Sequence, residues 1–259
     1  MNILRIKAEE YHAINAVSNS LISKILKSPA HARAYLDNQP APTKAMEFGT
    51  AFHAAILEPK EFAEQYAVFS GDRRTKEGKA AYEELIDSGK RILSADDMES
   101  IQGMQSSVFA HHAAKKLMDE GDAELSATWD DYETLVKCKC RPDWWKGDVL
   151  VDVKTTDDAS PEGFMRSIVK YGYHRQAAWY LRGTEADQFI FIAVEKTMPY
   201  AVGVYELDAL SLSQGSYECD QALRTWESAN ATGEFHAYSE DCEMLSLPDW
   251  KFDEQEITV

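Results

Sequence analysis

Apolar positions along this chain recur in two periods, and the order of those periods outlines helices, then strands, then a helix, two strands and a closing helix. Helical spacing predicts helices over residues 18–37, 44–58, 75–88 and 94–119, from runs such as Ala80-Ala81-Tyr82-Glu83-Glu84-Leu85-Ile86. Pro29 lies inside the first and predicts a break into two pieces, because proline lacks the backbone donor and clashes with the preceding turn. Alternation with a period of two takes over at about 124–130, 134–143 and 149–155, predicting three strands. Ser160 and Pro161 supply an N-cap and first turn for a helix that ends near Gly183 and bends at Gly172. Phe189 to Val194 and Ala201 to Leu207 read as strands, and Ala209 to Ala231 as a final helix. Helices flanking a central mixed β-sheet make an α/β (α+β) architecture.

The strand segments carry the chemistry. In 149–155, Asp152 and Lys154 share one face, while Val149, Val151 and Val153 share the other. In 134–143, Val136, Cys138 and Cys140 point one way, and Lys137, Lys139, Arg141 and Asp143 the other. Burial of the Val/Cys faces would bring Asp143, Asp152 and Lys154 together on a polar face lined with cations, and a one-residue slip would push every valine into solvent. Hard Mg²⁺ takes carboxylate, water and phosphate oxygens, and a neighbouring lysine can orient the water that attacks a phosphodiester. A solvated hairpin displays the same Asp-x-Lys spacing, so companions decide its meaning. Upstream, Phe48-Gly49-Thr50-Ala51-Phe52-His53 places a histidine on a helix; flanked by phenylalanines and alanines, it also reads as a core residue. Downstream, Gln176 and Tyr180 stand at i and i+4 on one helical face.

In this order, His53, Asp143, Asp152/Lys154 and Gln176/Tyr180, the chain resembles the PD-(D/E)XK nuclease superfamily, its RecB-like branch, and within that the RecE-type (exonuclease VIII-like) phage and prophage exonucleases. Ser18-Asn19-Ser20-Leu21 and Ser28-Pro29-Ala30-His31 resemble the opening helix of that branch, and the resemblance spans roughly residues 10 to 207. It implies Asp143 and Asp152 as metal ligands, the Val153 carbonyl as a further one, and His53 as a nitrogen ligand better suited to Mn²⁺ than to Mg²⁺. It also implies Lys154 acting on the nucleophilic water, Gln176 and Tyr180 positioning the strand or the water, and Glu124 as a water-mediated or second-metal ligand, with Glu120 and Glu133 as competitors.

The net charge of −17 and a pI near 4.8 oppose nonspecific DNA affinity, which comes mainly from cations that replace condensed counterions. The charge is uneven, however. From Asp220 to Val259 ten acidic residues face only Arg224 and Lys251, whereas Lys137, Lys139, Arg141, Lys146, Lys154, Arg166, Lys170, Arg175 and Arg182 cluster around the motifs. Local field governs steering into a cleft, so the pattern points to a confined DNA path. Further DNA-binding candidates are Arg73 and Arg74, in a basic glycine-containing loop at 68–79. Lys24, Lys27 and Arg33, on the early helix, are candidates for holding a 5′-phosphate.

With 44% hydrophobic residues over 259 positions, and no Pro/Gly/Ser linker between residues 10 and 230, one domain over 1–231 is expected, followed by an acidic extension over 232–259. No stretch approaches ~18 uninterrupted apolar residues and the N-terminus carries no signal-like segment, so a cytoplasmic protein without membrane contact is expected. The four cysteines show no paired ligand spacing and none precedes Cys138, so neither zinc nor an iron–sulfur cluster is expected.

The resemblance implies an Mg²⁺- or Mn²⁺-dependent 5′→3′ exonuclease acting on double-stranded DNA ends, whose 3′ overhang passes to a single-strand annealing protein. Alternatives are a RecB-like endonuclease or single-strand exonuclease, and a catalytically silent DNA-binding module. RecE-type enzymes resemble toroids of four subunits, so a ring-shaped homotetramer is expected, with Leu245, Leu247, Trp250, Phe252 and Ile257 of the extension docking on a neighbour.

Overall fold

The computed structural model describes residues 1–38, 40–248 and 251. The chain opens with β1 (Asn2–Leu4) and a short helix α1 (Ala8–Ala13), then α2 (Asn19–Ile25) and α3 (Pro29–Asp37). These last two are the pieces into which Pro29 divides the predicted helix. Each starts on a serine, Ser18 accepting from the Leu21 amide and Ser28 from the His31 amide. Next come α4 (Lys44–Leu57), α5 (Pro59–Gln65), β2 (Tyr66–Phe69), α6 (Lys76–Asp87), β3 (Arg91–Ser94), α7 (Ala95–Ala110) and α8 (His112–Leu117). The helix predicted over 94–119 is therefore two, because His111 leaves helical geometry and its ring accepts the Ala114 amide as a new cap. The predicted basic loop over 68–79 also changes: its ends belong to β2 and α6, and β2 pairs in parallel with β3.

The remaining elements are β4 (Asp122–Ala123), β5 (Ser126–Asp130), β6 (Lys137–Cys140), β7 (Trp144–Lys146), β8 (Val149–Thr156), α9 (Pro161–Tyr171), α10 (Tyr173–Thr184), β9 (Gln188–Glu195), β10 (Val202–Glu206) and α11 (Ala209–Thr232). A five-stranded mixed sheet runs β10-β9-β8-β7-β4, and a three-stranded sheet runs β1-β5-β6. β8 and β9 pair in parallel from Val149↔Gln188 to Thr156↔Glu195, joined through α9 and α10. As expected for the inner strand of such a unit, β8 is covered on both faces. Val151 and Val153 pack with Phe52, Ile56, Ile101 and Met104 of α4 and α7; Leu150 packs with Phe164, Ala177, Phe189 and Phe191 beneath α9 and α10. No helix among the described residues is long and apolar enough to cross a membrane.

One predicted strand is corrected. Residues 134–143 do not form a single strand paired with 149–155. The pairing within the three-stranded sheet ends at Cys140, and Arg141-Pro142-Asp143 carries the chain across to the other sheet. Pro142 explains the exit, since it has no N–H to continue a ladder. The true partner of β8 is β7, with Trp144 opposite Val151 and Lys146 opposite Val149. Asp143 thus stands at the junction between two sheets.

Residues 233–248 form no helix or strand. They are held at three points: Phe235 against Trp226, the His236 carbonyl accepting the Ala30 amide at 3.2 Å, and Tyr238 edge-on to His31. Leu245 and Leu247 are exposed; Trp250, Phe252 and Ile257 lie outside the described residues.

Candidate active site

The sheet junction brings the two aspartates together. Asp152 is only 1% exposed, on the face of β8 that α10 covers. Antiparallel pairing of β7 with β8 carries Asp143 alongside, where its Oδ2 accepts the Val153 amide at 2.7 Å. Asp152 is held from two sides: Gln176 Nε2 donates to Oδ1 at 2.5 Å, and the Lys154 ammonium lies 2.5 Å from Oδ2. That oxygen has no directed hydrogen bond, so its partner is the lysine's charge.

Gln176 reaches Asp152 because the helical path turns at Gly172. Gly172 is left-handed, with φ of 70°, and a Cβ there would collide with the Arg175 guanidinium. This glycine ends α9 and starts α10 at an angle that presents Gln176 and Tyr180 toward β8. Tyr180 lines the groove above the aspartates. His53 arrives from α4 on the other side. Its Nε2 lies 2.6 Å from the Val153 carbonyl, and a carbonyl can only accept, so Nε2 carries the proton. Burial, and then Lys154, hold the ring below its ordinary pKa, so it is neutral, with Nδ1 3.8 Å from Asp143 Oδ2.

Glu124 completes the cluster. Its backbone is left-handed (φ 53°), its amide donates to the Asp143 carbonyl at 3.1 Å, and its carboxylate is paired with Arg141. Burial first, then the charge of Asp152, push Asp143 up to about 8. Burial first, then Asp143, push Glu124 up to about 7 against the opposing pull of Arg141. Three carboxylates crowd a site that holds Lys154 and Arg141.

That electron-rich donor set fits a divalent cation. Asp143, Asp152 and the Val153 carbonyl would hold it through oxygen, with His53 or Glu124 completing the set. Among the described residues, however, no three His, Cys, Asp or Glu side chains already stand as a metal cage. Lys154 and Gln176 occupy the Asp152 oxygens, and His53 occupies the Val153 carbonyl, so those contacts must yield for an ion to bind.

A pH dependence follows. Both acids titrate above their ordinary values, so between about pH 4 and pH 8 the folded chain binds more protons than the unfolded one. Without divalent metal, stability should therefore fall as pH rises through that window. Metal must displace those protons, so its affinity should climb toward pH 8 with net proton release. Calorimetric titration with Mn²⁺ in buffers of different ionisation heat, beside melting curves in EDTA, checks both signs. Binding without proton release would refute the assignment.

Above the aspartates opens a groove of about 1860 Å³, lined by His53, Glu124, Lys154, Gln176 and Tyr180. Of the predicted DNA-binding cations, Arg33, Lys137, Lys139 and Arg141 line it. Three of these four are engaged in structure. Lys139 is 7% exposed and its ammonium donates to the carbonyls of Tyr11, His12 and Ile14, capping α1, while Arg141 is tied to Glu124 and the Ile6 carbonyl. Arg33 pairs with Asp37.

The other candidates lie elsewhere. Lys24 sits over the Tyr35 ring, Lys27 lines a small depression between α2 and α11, and Arg73 stacks on Tyr82. Arg74 pairs with Asp72, and Arg175 pairs with Glu218. Sequence reasoning missed Arg5, Lys7 and Tyr11 near the N-terminus, and Glu58, Glu61 and Glu64 at the start of and within α5, all of which line the groove. Their local spacing carried no motif.

The fold is that of the PD-(D/E)XK class, and its mixed sheet carries Asp152 and Lys154 on an inner strand, with a second aspartate at the preceding junction. The chain belongs to the PDDEXK-like domain of unknown function family (DUF3799), whose match covers residues 18–248. PD-(D/E)XK nucleases generally use divalent metals. No curated protein matches the chain. Among solved structures, a proposed exonuclease from Eubacterium rectale is similar over 95% of this chain and 96% of its own, at 14% identity and a TM-score of 0.64, a likeness of fold. A phage related exonuclease from Haemophilus somnus (12% identity, 84% and 96% covered, TM-score 0.39) also matches. So does an alkaline exonuclease from Laribacter hongkongensis (17% identity, 71% and 96% covered, TM-score 0.32); these two scores are too low to carry an argument.

Proposed function

We propose that the protein is a divalent-metal-dependent deoxyribonuclease that digests linear duplex DNA from its ends. The observation that carries this reading is the convergence of the buried Asp143 and Asp152 with Lys154 and Gln176, the last two lining one groove. Bound Mg²⁺ or Mn²⁺ would supply a Lewis acid and an activated water. The chain's own residues do the rest. Asp152 and Asp143 provide anionic oxygens, Gln176 fixes the orientation of Asp152, and Lys154, released from Asp152, holds the attacking water and the charge that develops on phosphate. Lys7 and Lys137, exposed on the groove wall, offer the sugar–phosphate backbone cations despite the acidic chain.

The resemblance to RecE-type enzymes supports the finer reading: 5′→3′ digestion, a 3′ overhang delivered to a single-strand annealing protein, and a closed ring of four subunits. A ring keeps an acidic protein on DNA by topology, without high affinity. Closed symmetry is the usual outcome for soluble homo-oligomers.

The test is end-labelled linear duplex, with and without a 5′-phosphate, incubated in Mg²⁺, Mn²⁺ or EDTA beside closed circular duplex. Release of 5′-terminal nucleotides from linear DNA only, abolished by EDTA, is expected. Circular DNA cut as fast as linear would remove the end dependence, and no hydrolysis in either metal would remove the nuclease reading. Light scattering behind size-exclusion chromatography tests the ring, which a mass staying near the 29.2 kDa of one chain would exclude.

A further inference from the structure

Gln176 and Tyr180 share their helix face with a third residue. Tyr173, the first residue of α10, stands at i relative to Gln176 at i+3 and Tyr180 at i+7, so all three point toward β8. The Lys154 ammonium lies 4.8 Å from the centroid of the Tyr173 ring, within cation–π range. We propose that Tyr173 is a positioning residue for Lys154: its ring face and the Asp152 carboxylate together confine the ammonium to the floor of the groove. For its role in the reaction, this inference rests on the nuclease reading.

The geometry is built from several independent parts. A lysine head on a four-carbon stem has many rotamers, and a single carboxylate contact leaves most of that freedom. The ring closes a second side. Once Asp152 turns to a metal, the ring is the contact that still holds the lysine in place, because it does not compete for the cation. The ring is itself immobilised, stacked with Phe191 at 5.8 Å and with Tyr171 at 5.6 Å, each at an interplanar angle of 29°. Phe191 is the register partner of Asp152 on β9, so the strand pair that places the aspartate also places the support for the ring. The register partner of Lys154 is Ala193, whose small side chain leaves space above that position. Left-handed Gly172 then delivers Tyr173 at the start of the helix.

The ring rather than the hydroxyl carries the contact. The described residues give the Tyr173 hydroxyl no hydrogen bond, so phenylalanine should replace tyrosine and an aliphatic residue should not.

The experiment uses the full chain with Tyr173→Phe and Tyr173→Leu. One readout is the ε-methylene signal of Lys154 in protein carrying ¹³C-lysine, with Lys154→Arg identifying the resonance. An ammonium over a ring face shifts its neighbouring methylene protons upfield. That shift is expected in the wild type and in Tyr173→Phe, and should vanish in Tyr173→Leu.

The second readout separates binding from turnover. With saturating linear duplex and Mg²⁺, Tyr173→Leu should lose roughly three- to thirty-fold in single-turnover rate, the range of such a contact. Its duplex affinity in EDTA should be unchanged, and Tyr173→Phe should hydrolyse like the wild type. An unshifted Lys154 signal in the wild type overturns the proposal, even if Tyr173→Leu does not fold. Equal rates for the Leu and Phe variants overturn the positioning role. If the wild type hydrolyses no DNA, the nuclease reading fails, and the methylene shift still judges the contact by itself.

Discussion

Asp152→Ala is expected to reduce DNA hydrolysis about a thousandfold or more, the equivalent of ~4 kcal/mol in the barrier. Asp152 joins two contacts of the proposed catalytic set, since Gln176 donates to one oxygen and Lys154 faces the other. Removing it would take away a proposed metal ligand and leave a largely buried ammonium and a buried amide without their partner, so some stability should go as well. Asp152→Asn separates the effects, because it keeps an acceptor for Gln176 but loses the charge that holds a cation. The Asn variant should retain more of the melting temperature than the Ala variant while being nearly as inactive, and should bind Mn²⁺ weakly by calorimetry. Lys154→Ala should behave differently, binding metal but turning over slowly. Rapid digestion of linear duplex by either Asp152 variant would mean that the chemistry lies elsewhere.

The largest loss of stability is expected from Trp179→Ala, about 3–5 kcal/mol on the scale of buried aromatic truncations. Trp179 has no exposed surface, and its ring packs against Trp129 at 4.8 Å between centroids. Its indole N–H donates to the Lys139 carbonyl at 3.0 Å, which ties α10 to β6 of the three-stranded sheet. The residue is therefore the joint between the helix that carries Tyr173 and Gln176 and the strand whose Lys139 ammonium caps α1. Truncation leaves a cavity and an unsatisfied carbonyl in a hydrophobic cluster with Val17, Ile22, Cys138 and Leu223. Trp179→Phe keeps most of the volume and should cost about 1–2 kcal/mol, chiefly the hydrogen bond. Urea unfolding followed by circular dichroism gives both values, and an alanine variant as stable as the phenylalanine one would show that the joint is not needed.

The predicted helices over 18–37, 44–58 and 75–88 reappear nearly in place because their signals are local: capping serines and threonines, Pro29, and apolar spacing read within one segment. The bend at Gly172 was legible for the same reason, since only glycine takes the left-handed position without a steric cost. The motif residues His53, Asp143, Asp152, Lys154 and Gln176 were found by their order along the chain, and the fold brings these five together.

What the sequence by itself determined is therefore the longer early helices, the Asp-x-Lys strand and the helix that faces it, because each depends on interactions within a few residues. The tertiary structure decided which strand pairs with which. Pro142 ends one ladder, and Trp144–Lys146 then fold back on β8 as a tight hairpin; what seats that hairpin in the five-stranded sheet is the long-range parallel pairing of β8 with β9 across α9 and α10. It also decided the fate of each cation. Lys139 and Lys137 stand two apart on one strand, yet one lines the groove as an exposed cation while the other is buried capping α1, because the carbonyls it meets come from residues more than a hundred positions away. Charge is written in the sequence; whether a charge faces a substrate or a backbone is settled only when distant segments meet.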